Sequence, residues 1–311
     1  MIVWSAFIVL IIVFLALDLG VFNSKAHEIT NKEATIWTIV WVSVAMLFSL
    51  AVYAIYKNDW LPHPTSLTPN QALIKYITGY LVELSLSVDN IFVIAVIFTS
   101  FRVPKIYQHR VLFWGILGAV IFRSIMIFFG VFLIRKFSWA TYVFGAFLII
   151  TAIRMLFQHQ EETKNFKNSN MYKFIRNFIP ITKDMYGQKF IIKRKGVVAA
   201  TPLFAALLII EFTDILFAVD SIPAILAITP EPFIVFTSNI MAVLGLRSMY
   251  FFLANMLGKF HYLKYSLVVI LAFVGIKMII SHKVEIGEII SLGVIIASLA
   301  GGILFSKWKQ H

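Results

Sequence analysis

Apolar runs separated by short polar segments fill this chain, at about 2–22, 34–56, 71–98, 107–134, 139–157, 197–228, 232–256, 262–281 and 286–306. About 20 apolar residues suffice to carry a helix across the hydrocarbon of a bilayer. There, helices and closed barrels alone satisfy their backbone polar groups. The pattern predicts an all-α, polytopic membrane protein with about nine transmembrane helices. Several runs exceed the minimum, so tilting or a break is expected. The run 197–228 is the longest and holds Pro223 just after Asp220. Proline removes a backbone donor, which makes this run the best candidate for a discontinuous helix. Residues 1–22 lack a basic leading region and read as a retained first span rather than a signal peptide.

Polar positions inside these runs form a second pattern. ELSLSVDNI, from Glu83 to Ile91, matches DILFAVDSI, from Asp214 to Ile222, with Glu83 over Asp214, Asp89 over Asp220 and Asn90 over Ser221 at a constant offset of 131. FRSIMIFF, ending at Phe129, similarly matches LRSMYFFL, ending at Leu253, which puts Arg123 over Arg247. AIRMLFQH, ending at His159, matches GIKMIISH, ending at His282. Spans 3–5 therefore resemble spans 6–8. Three helices per unit force the second unit to run upside down, an inverted repeat whose equivalent residues meet near the bilayer midplane, as in many secondary transporters. The expected organisation is one transmembrane transporter domain over 1–311. It comprises repeat unit 1 (about 71–157), a loop (158–196), repeat unit 2 (about 197–281) and a C-terminal span (286–306).

Charge sets the orientation. Nine Lys and Arg fall in 158–196, with others in the loops of the same parity, whereas the opposite loops hold Lys57, Arg135, Lys136 and Lys283. The positive-inside rule then places the N-terminus outside and the C-terminus in the cytoplasm of a bacterial inner membrane. Within the basic loop, MYKFIRNFI (171–179) spaces Met171, Phe174, Ile175, Phe178 and Ile179 on one helical face, predicting a short amphipathic helix on the inner leaflet. Composition agrees: 60% of residues are hydrophobic and 14% charged, against roughly 45–50% and 25% in soluble domains. The net charge of +12 is concentrated in loops facing anionic lipid, so the bilayer is the expected partner and nucleic acid is not. Oligomeric state is not legible.

Ionised acids in hydrocarbon cost about 2.5–3.5 kcal/mol each on insertion scales, so they face a polar interior and serve function. Asp18, Glu83, Asp89, Glu211, Asp214 and Asp220 lie within the runs, and the arginines Arg123 and Arg247 sit near the middle of spans 4 and 7. Two cations cannot balance six acids, and in low dielectric the excess must take up protons or a cation. Arg123 and Arg247 are expected to balance charge in the empty site. Glu83, Ser87 and Asn90 share one helical face, as do Asp214, Ala218 and Ser221. Asp89, six residues from Glu83, points about 120° away on a regular helix. Either the helices unwind near Asp89 and Asp220, or neighbouring helices complete two half-sites.

The chain contains no cysteine, which removes thiolate ligands and leaves hard oxygen donors suited to Mn²⁺, Mg²⁺ or Ca²⁺. The histidines (His27, His63, His109, His159, His261, His282 and His311) fall in loops or at span ends and read as interfacial. No nucleotide-binding loop or catalytic triad is present, so no enzyme is expected, and no resident cofactor. The divalent cation is the expected substrate. The ligand candidates are Asp89, Asp220, Glu83, Asp214, Glu211, Asn90, Ser221 and Asp18. The competing reading is a membrane scaffold or assembly factor whose acids grip partner helices.

The chain also resembles the TerC family of integral membrane proteins, in particular its Alx-like manganese exporters. The resemblance rests on LDLGVFNSKAHEIT (17–30), ELSLSVDNIFVI (83–94), TPLFAALLIIEFTDILFAVDSIPAILAIT (201–229) and PFIVFTSNIMAVLGLRSMYFFLA (232–254). It implies Mn²⁺ efflux across the inner membrane along the intramembrane acids, carried over onto Asp18, Glu83, Asp89, Asn90, Glu211, Asp214, Asp220 and Ser221. One departure is Asn23, where many relatives carry His or Arg. Inward proton movement is the expected coupling, because a carboxylate holds metal when ionised and a proton when neutral.

The orientation is testable because the chain is cysteine-free. A single Asn170→Cys should escape an impermeant thiol reagent in intact cells and react in inverted vesicles; labelling from outside would overturn both the orientation and the inverted symmetry.

Overall fold

A computed structural model describes residues 2–20, 28–62, 67–157, 170–182, 184–194, 197–254, 263–281, 284 and 286–308. The elements in order are α1 (Ile2–Gly20), α2 (Asn31–Lys57), α3 (Pro69–Phe101), α4 (Lys105–Lys136), α5 (Trp139–Phe157), α6 (Asn170–Phe178), β1 (Ile191–Arg194), β2 (Val197–Ala200), α7 (Pro202–Leu226), α8 (Pro232–Ala254), α9 (Leu263–Ile280) and α10 (Glu288–Trp308). The fold is helical. Among the described residues, seven helices, α2, α3, α4, α5, α7, α8 and α10, are long and apolar enough to cross a membrane, so the protein is multi-pass. The apolar helices α1 and α9 occupy the positions of predicted spans 1 and 8.

Local sequence explains the helix boundaries. Thr68 caps α3 in a reciprocal capping box with Gln71, and Pro69 occupies the first helical turn, where its missing N–H costs nothing. Thr201 and Pro202 start α7 in a similar way, with the Thr201 side chain accepting from Phe204 N–H. Residues 197–200, expected to begin the long sixth span, are instead strand β2, paired antiparallel with β1. The Thr201–Pro202 stop signal and the β-branched pair Val197–Val198 account for the change. The predicted break at Pro223 is also corrected. The α7 helix runs unbroken through Pro223 to Leu226. The lost bond concerns the Val219 carbonyl one turn earlier, a loss that a membrane helix packed among others tolerates, and Ala227 N–H donates to Pro223 O at 3.0 Å.

The helix pairs in contact between α3–α5 and α7–α9 are the same when the two sets are exchanged. The pair α3·α8 becomes α7·α4, α5·α7 becomes α9·α3, and α5·α9, α3·α7 and α4·α8 map onto themselves; all seven pairs are in contact. The apolar stretch of α8 is buried along its whole length, wrapped by α2, α3 and α4, as a helix apolar on every side requires. Helix α5 crosses α9 at Gly145 and Gly275, where backbones meet closely, a small-residue contact typical of membrane helices. Outer faces of α4, carrying Ile121, Ile125, Phe129 and Phe132, are exposed, as lipid-facing surfaces should be.

The amphipathic helix expected at 171–179 is present as α6. Its apolar face divides between two surroundings. Ile175 is buried against the bundle, and the Tyr172 ring lies 5.6 Å from that of Phe101. Phe174 and Phe178 stack 4.8 Å apart and stay exposed. The side chains Arg110 and Gln188, 3.2 Å apart, tie the segment before the hairpin to α4.

A methyl group at Gly145 would lie 2.7 Å from Ile279 Cγ1 and 2.9 Å from the Gly275 carbonyl, whereas one at Gly301 meets nothing within 4 Å. Gly145→Ala should therefore lower thermal stability in detergent, by about 1–3 kcal/mol for an overpacked contact. Gly301→Ala should leave stability unchanged or raise it by about 0.4–1 kcal/mol. Equal effects of the two substitutions would contradict the close crossing of α5 and α9.

Candidate functional site

Four of the six predicted acids separate into two pairs on different faces of α3 and α7. On the first face, Arg123 of α4 is wholly buried and grips Asp214 with two parallel bonds, Nε to Oδ2 at 3.1 Å and Nη2 to Oδ1 at 2.8 Å. Its Nη1 also contacts Glu83 Oε1. Asn239 of α8 closes the ring by donating to Glu83 Oε2 at 2.8 Å. Glu83 and Asn239 are wholly buried as well. The fork geometry of a guanidinium suits this two-carboxylate clamp. With both acids ionised, the cluster still carries one net negative charge.

Asp89 and Asp220 face the other way, about 120° round α3 and α7 from Glu83 and Asp214 on regular helices. They line one cavity of about 240 Å³ between α3, α5, α7 and α9. Each helix contributes the same spacing: Leu86, Asp89 and Asn90 from α3, and Phe217, Asp220 and Ser221 from α7. The offset of 131 seen in the sequence is thus reproduced in the lining of a single chamber. Helix α5 adds Phe147, Thr151, Arg154 and Met155, a continuous stripe at helical spacing. Thr151 Oγ1 donates to Asp220 Oδ1 at 3.1 Å.

Two oxygens at this cavity are orphaned. Among the described residues, Asn90 Oδ1 and Ser221 Oγ are buried without a hydrogen-bond partner, and so is Ser87 Oγ one turn before Asn90. A buried acceptor without a donor costs roughly 1–3 kcal/mol. The arrangement fits a cation or a bound water in a chamber that already holds two carboxylates. About 10–15 Å³ of such space suffices to hold one water, so the chamber has room for an ion with part of its hydration shell. No group of three or more His, Asp and Glu that could hold a metal is present among the described residues. An ion here would be held by two carboxylates, an amide oxygen, hydroxyls and water. A second void of about 20 Å³, lined by Asn90, Thr213, Asp214 and Phe217 among others, adjoins the Arg123 cluster. It has room for about one water, and Asn90 and Phe217 border both spaces.

The remaining candidates lie elsewhere. The carboxylate of Glu211 rests against Gly118 of α4, with Oε2 buried and unbonded among the described residues. Arg247 does not repeat the role of Arg123: its Nη1 meets His109 Nε2 of α4, and it borders a small pocket with Glu33 and Trp37 of α2. Equivalence in the repeat did not carry over because both equivalent acids are claimed by one arginine. Helix α1 includes Asp18, whose side chain lies outside the described residues, as do Asn23 and every histidine except His109. Four residues escaped the sequence reading. Thr151 and Asn239 complete the two acidic clusters. Glu231, buried near Arg135 at 3.5 Å, sits in a loop between two spans. Arg154 lies three residues before the end of α5 and aligns with Lys277 in the match of AIRMLFQH to GIKMIISH.

The family model described as "Integral membrane protein TerC family" matches residues 68–311. An uncharacterized membrane protein of Myxococcus xanthus is 49% identical over 308 residues, covering 99% of this chain and 92% of its own. A protein of Escherichia coli strain K12 named "Putative membrane-bound redox modulator Alx" is 41% identical over 312 residues, covering 99% and 95%. An uncharacterized membrane protein of Rickettsia bellii is 41% identical over 308 residues, covering 99% and 98%. No solved structure gives a significant match.

Removing one member of a buried ion pair strands the others, at a cost of about 3–5 kcal/mol. Arg123→Met should lower thermal stability in detergent by that amount. Adding Glu83→Gln and Asp214→Asn to the same chain should recover most of it. A single Arg123→Met that melts like the native chain would show that the cluster does not hold the bundle together.

Proposed function

The chain belongs to the TerC family of integral membrane proteins, and we propose that it exports a divalent cation, Mn²⁺ foremost, in exchange for protons. Asp89 and Asp220 are the principal ligands in this reading, supported by Asn90, Ser221 and Thr151. The observation that carries it is the shared cavity, in which two carboxylates from matching positions meet orphaned amide and hydroxyl oxygens. Such a set suits a hard cation that keeps several waters. It also suits transport, because a substrate must leave as readily as it enters, and a closed cage of carboxylates would retain it. Glu83 and Asp214 keep a structural part here, as partners of Arg123.

The nine-span, inverted-repeat architecture belongs to the same proposal, supported by the exchange-invariant packing of α3–α5 and α7–α9. So does a single transporter domain in the bacterial inner membrane, with the N-terminus outside, and 158–196 and the C-terminus in the cytoplasm, as the charge bias favours. The Escherichia coli relative's name speaks of redox modulation; with no cysteine in this chain, such a role could not run through its thiols. No catalytic step is assigned.

Asp89→Asn and Asp220→Asn should each abolish Mn²⁺ flux in proteoliposomes while leaving thermal stability unchanged or higher. The amide keeps the shape of the acid, drops its charge and is easier to bury; neither acid bonds Arg123, so the buried clamp keeps its partners. Normal flux in both variants would sink the transport reading, as would wild-type protein that binds and moves no divalent cation, leaving the scaffold reading.

Proton exchange makes a separate demand. Protons and metal compete for the same carboxylates, so Mn²⁺ affinity should fall steadily as pH drops from mildly alkaline to mildly acidic. A flat calorimetric profile across that range would remove the basis for coupling.

A further inference from the structure

Arg154 is the cation in the chamber wall. It lies one turn beyond Thr151 on α5, on the same face, and lines the cavity together with Asp89 and Asp220. Its charge interacts with that of Asp220. Among the described residues Arg154 makes no hydrogen bond or ion pair at contact distance, whereas its counterpart in the repeat, Lys277, donates to Ser291 Oγ of α10 at 2.7 Å. Arg123 is held between its two acids. Arg154 alone of these three combines a full charge, a long flexible stem and a place beside Asp220, in the cavity that Asp220 shares with Asp89, without being tied down; Asp89 also feels the charge of Lys264 of α9.

A guanidinium on a membrane helix has two favourable choices: to reach the headgroups, or to face a polar interior. Asp89 and Asp220 supply the interior. Two carboxylates sharing a low-dielectric chamber repel each other and need compensation when no substrate is present. A tethered cation supplies it without occupying the orphaned oxygens of Asn90 and Ser221, and it can withdraw towards the end of α5 at Phe157.

We propose that Arg154 is a tethered counter-cation of the Asp89–Asp220 cavity, neutralising the site when it is empty and competing with the divalent substrate for it. This rests on the transport reading above. Arg154 is a positioning residue for the site's charge, and it sets how weakly the substrate is held. By neutralising the emptied site it also favours substrate release, so its loss slows turnover while tightening binding.

The absence of native cysteines allows a test on one folded preparation. In full-length Arg154→Cys, the free thiol, a cationic methanethiosulfonate adduct and an anionic one differ in charge at one position. Mn²⁺ affinity measured by calorimetry should be about tenfold tighter than wild type for the free thiol and at least as tight for the anionic adduct. The cationic adduct and Arg154→Lys should both return to the wild-type value. Arg154→Gln should likewise bind about tenfold tighter, with reduced flux in proteoliposomes. A structural role would weaken binding or leave it insensitive to the sign of the adduct. Equal affinities for the three forms, or weaker binding by Arg154→Gln, would overturn the proposal while leaving the transport reading intact. Wild-type protein that binds no Mn²⁺ would overturn both.

Discussion

Arg123 lies with no exposed surface between two carboxylates that come from corresponding places on two different helices. Because Asn239 joins the cluster from a fourth helix, α3, α4, α7 and α8 cannot slide or rotate independently without leaving a charge unpaired in low dielectric. That penalty is steep for a small change in geometry, unlike the apolar contacts around it, which tolerate sliding. The clamp fixes the rotation of α3 and α7 about their axes. It therefore decides which way Asp89 and Asp220 point, since both are rigidly related to Glu83 and Asp214 by helical geometry.

From that rotation the division of the acids follows. One face of α3 and α7 is committed to cohesion and already neutralised in large part; the other opens on a chamber that α5 and α9 close. The close passage at Gly145 and Gly275 brings α5 against α9, and α5 in turn presents Thr151 and Arg154 to Asp220. In the transport reading proposed above, structural charge and exchangeable charge are thereby kept on separate faces of the same two helices. A bundle that used one cluster for both purposes would loosen whenever its cation departed.

Much of this was legible in the sequence because hydrocarbon makes strict demands. Apolar length marks the spanning helices, and the offset between Asp89 and Asp220 marked two positions that line one cavity. The same helical arithmetic showed that Glu83 and Asp89 point different ways on α3, leaving open whether unwound helices or neighbouring helices resolve it; α3 and α7 are continuous, and α5 completes the chamber. What remained hidden was the pairing. Sequence similarity between Arg123 and Arg247 gave no means of knowing that one arginine takes both acids while the other meets His109. Such a choice depends on side-chain reach across helices, which periodicity does not encode. Pro223 misled for a related reason: the carbonyl it leaves without a donor lies one turn earlier, and whether a helix breaks there depends on the packing around that turn rather than on the proline alone. Arg154 was overlooked because a cation three residues from the end of a span usually belongs to the interface.

The small void beside Asp214 connects these two functions physically. Asn90 and Phe217 border it on one side and the larger cavity on the other, so the two acidic regions are separated by an amide and an aromatic ring rather than by a thick apolar layer. In low dielectric, charge is felt across such a distance with little screening. In the transport reading proposed above, a divalent cation in the larger chamber would be felt by Asp214 and Glu83, and on its departure Arg154 would take over the compensation. The Arg123 clamp would then meet nearly the same potential in the loaded and the empty chamber. Cohesion of α3 and α7 would not depend on whether the cation is present, because the clamp's acids are already paired.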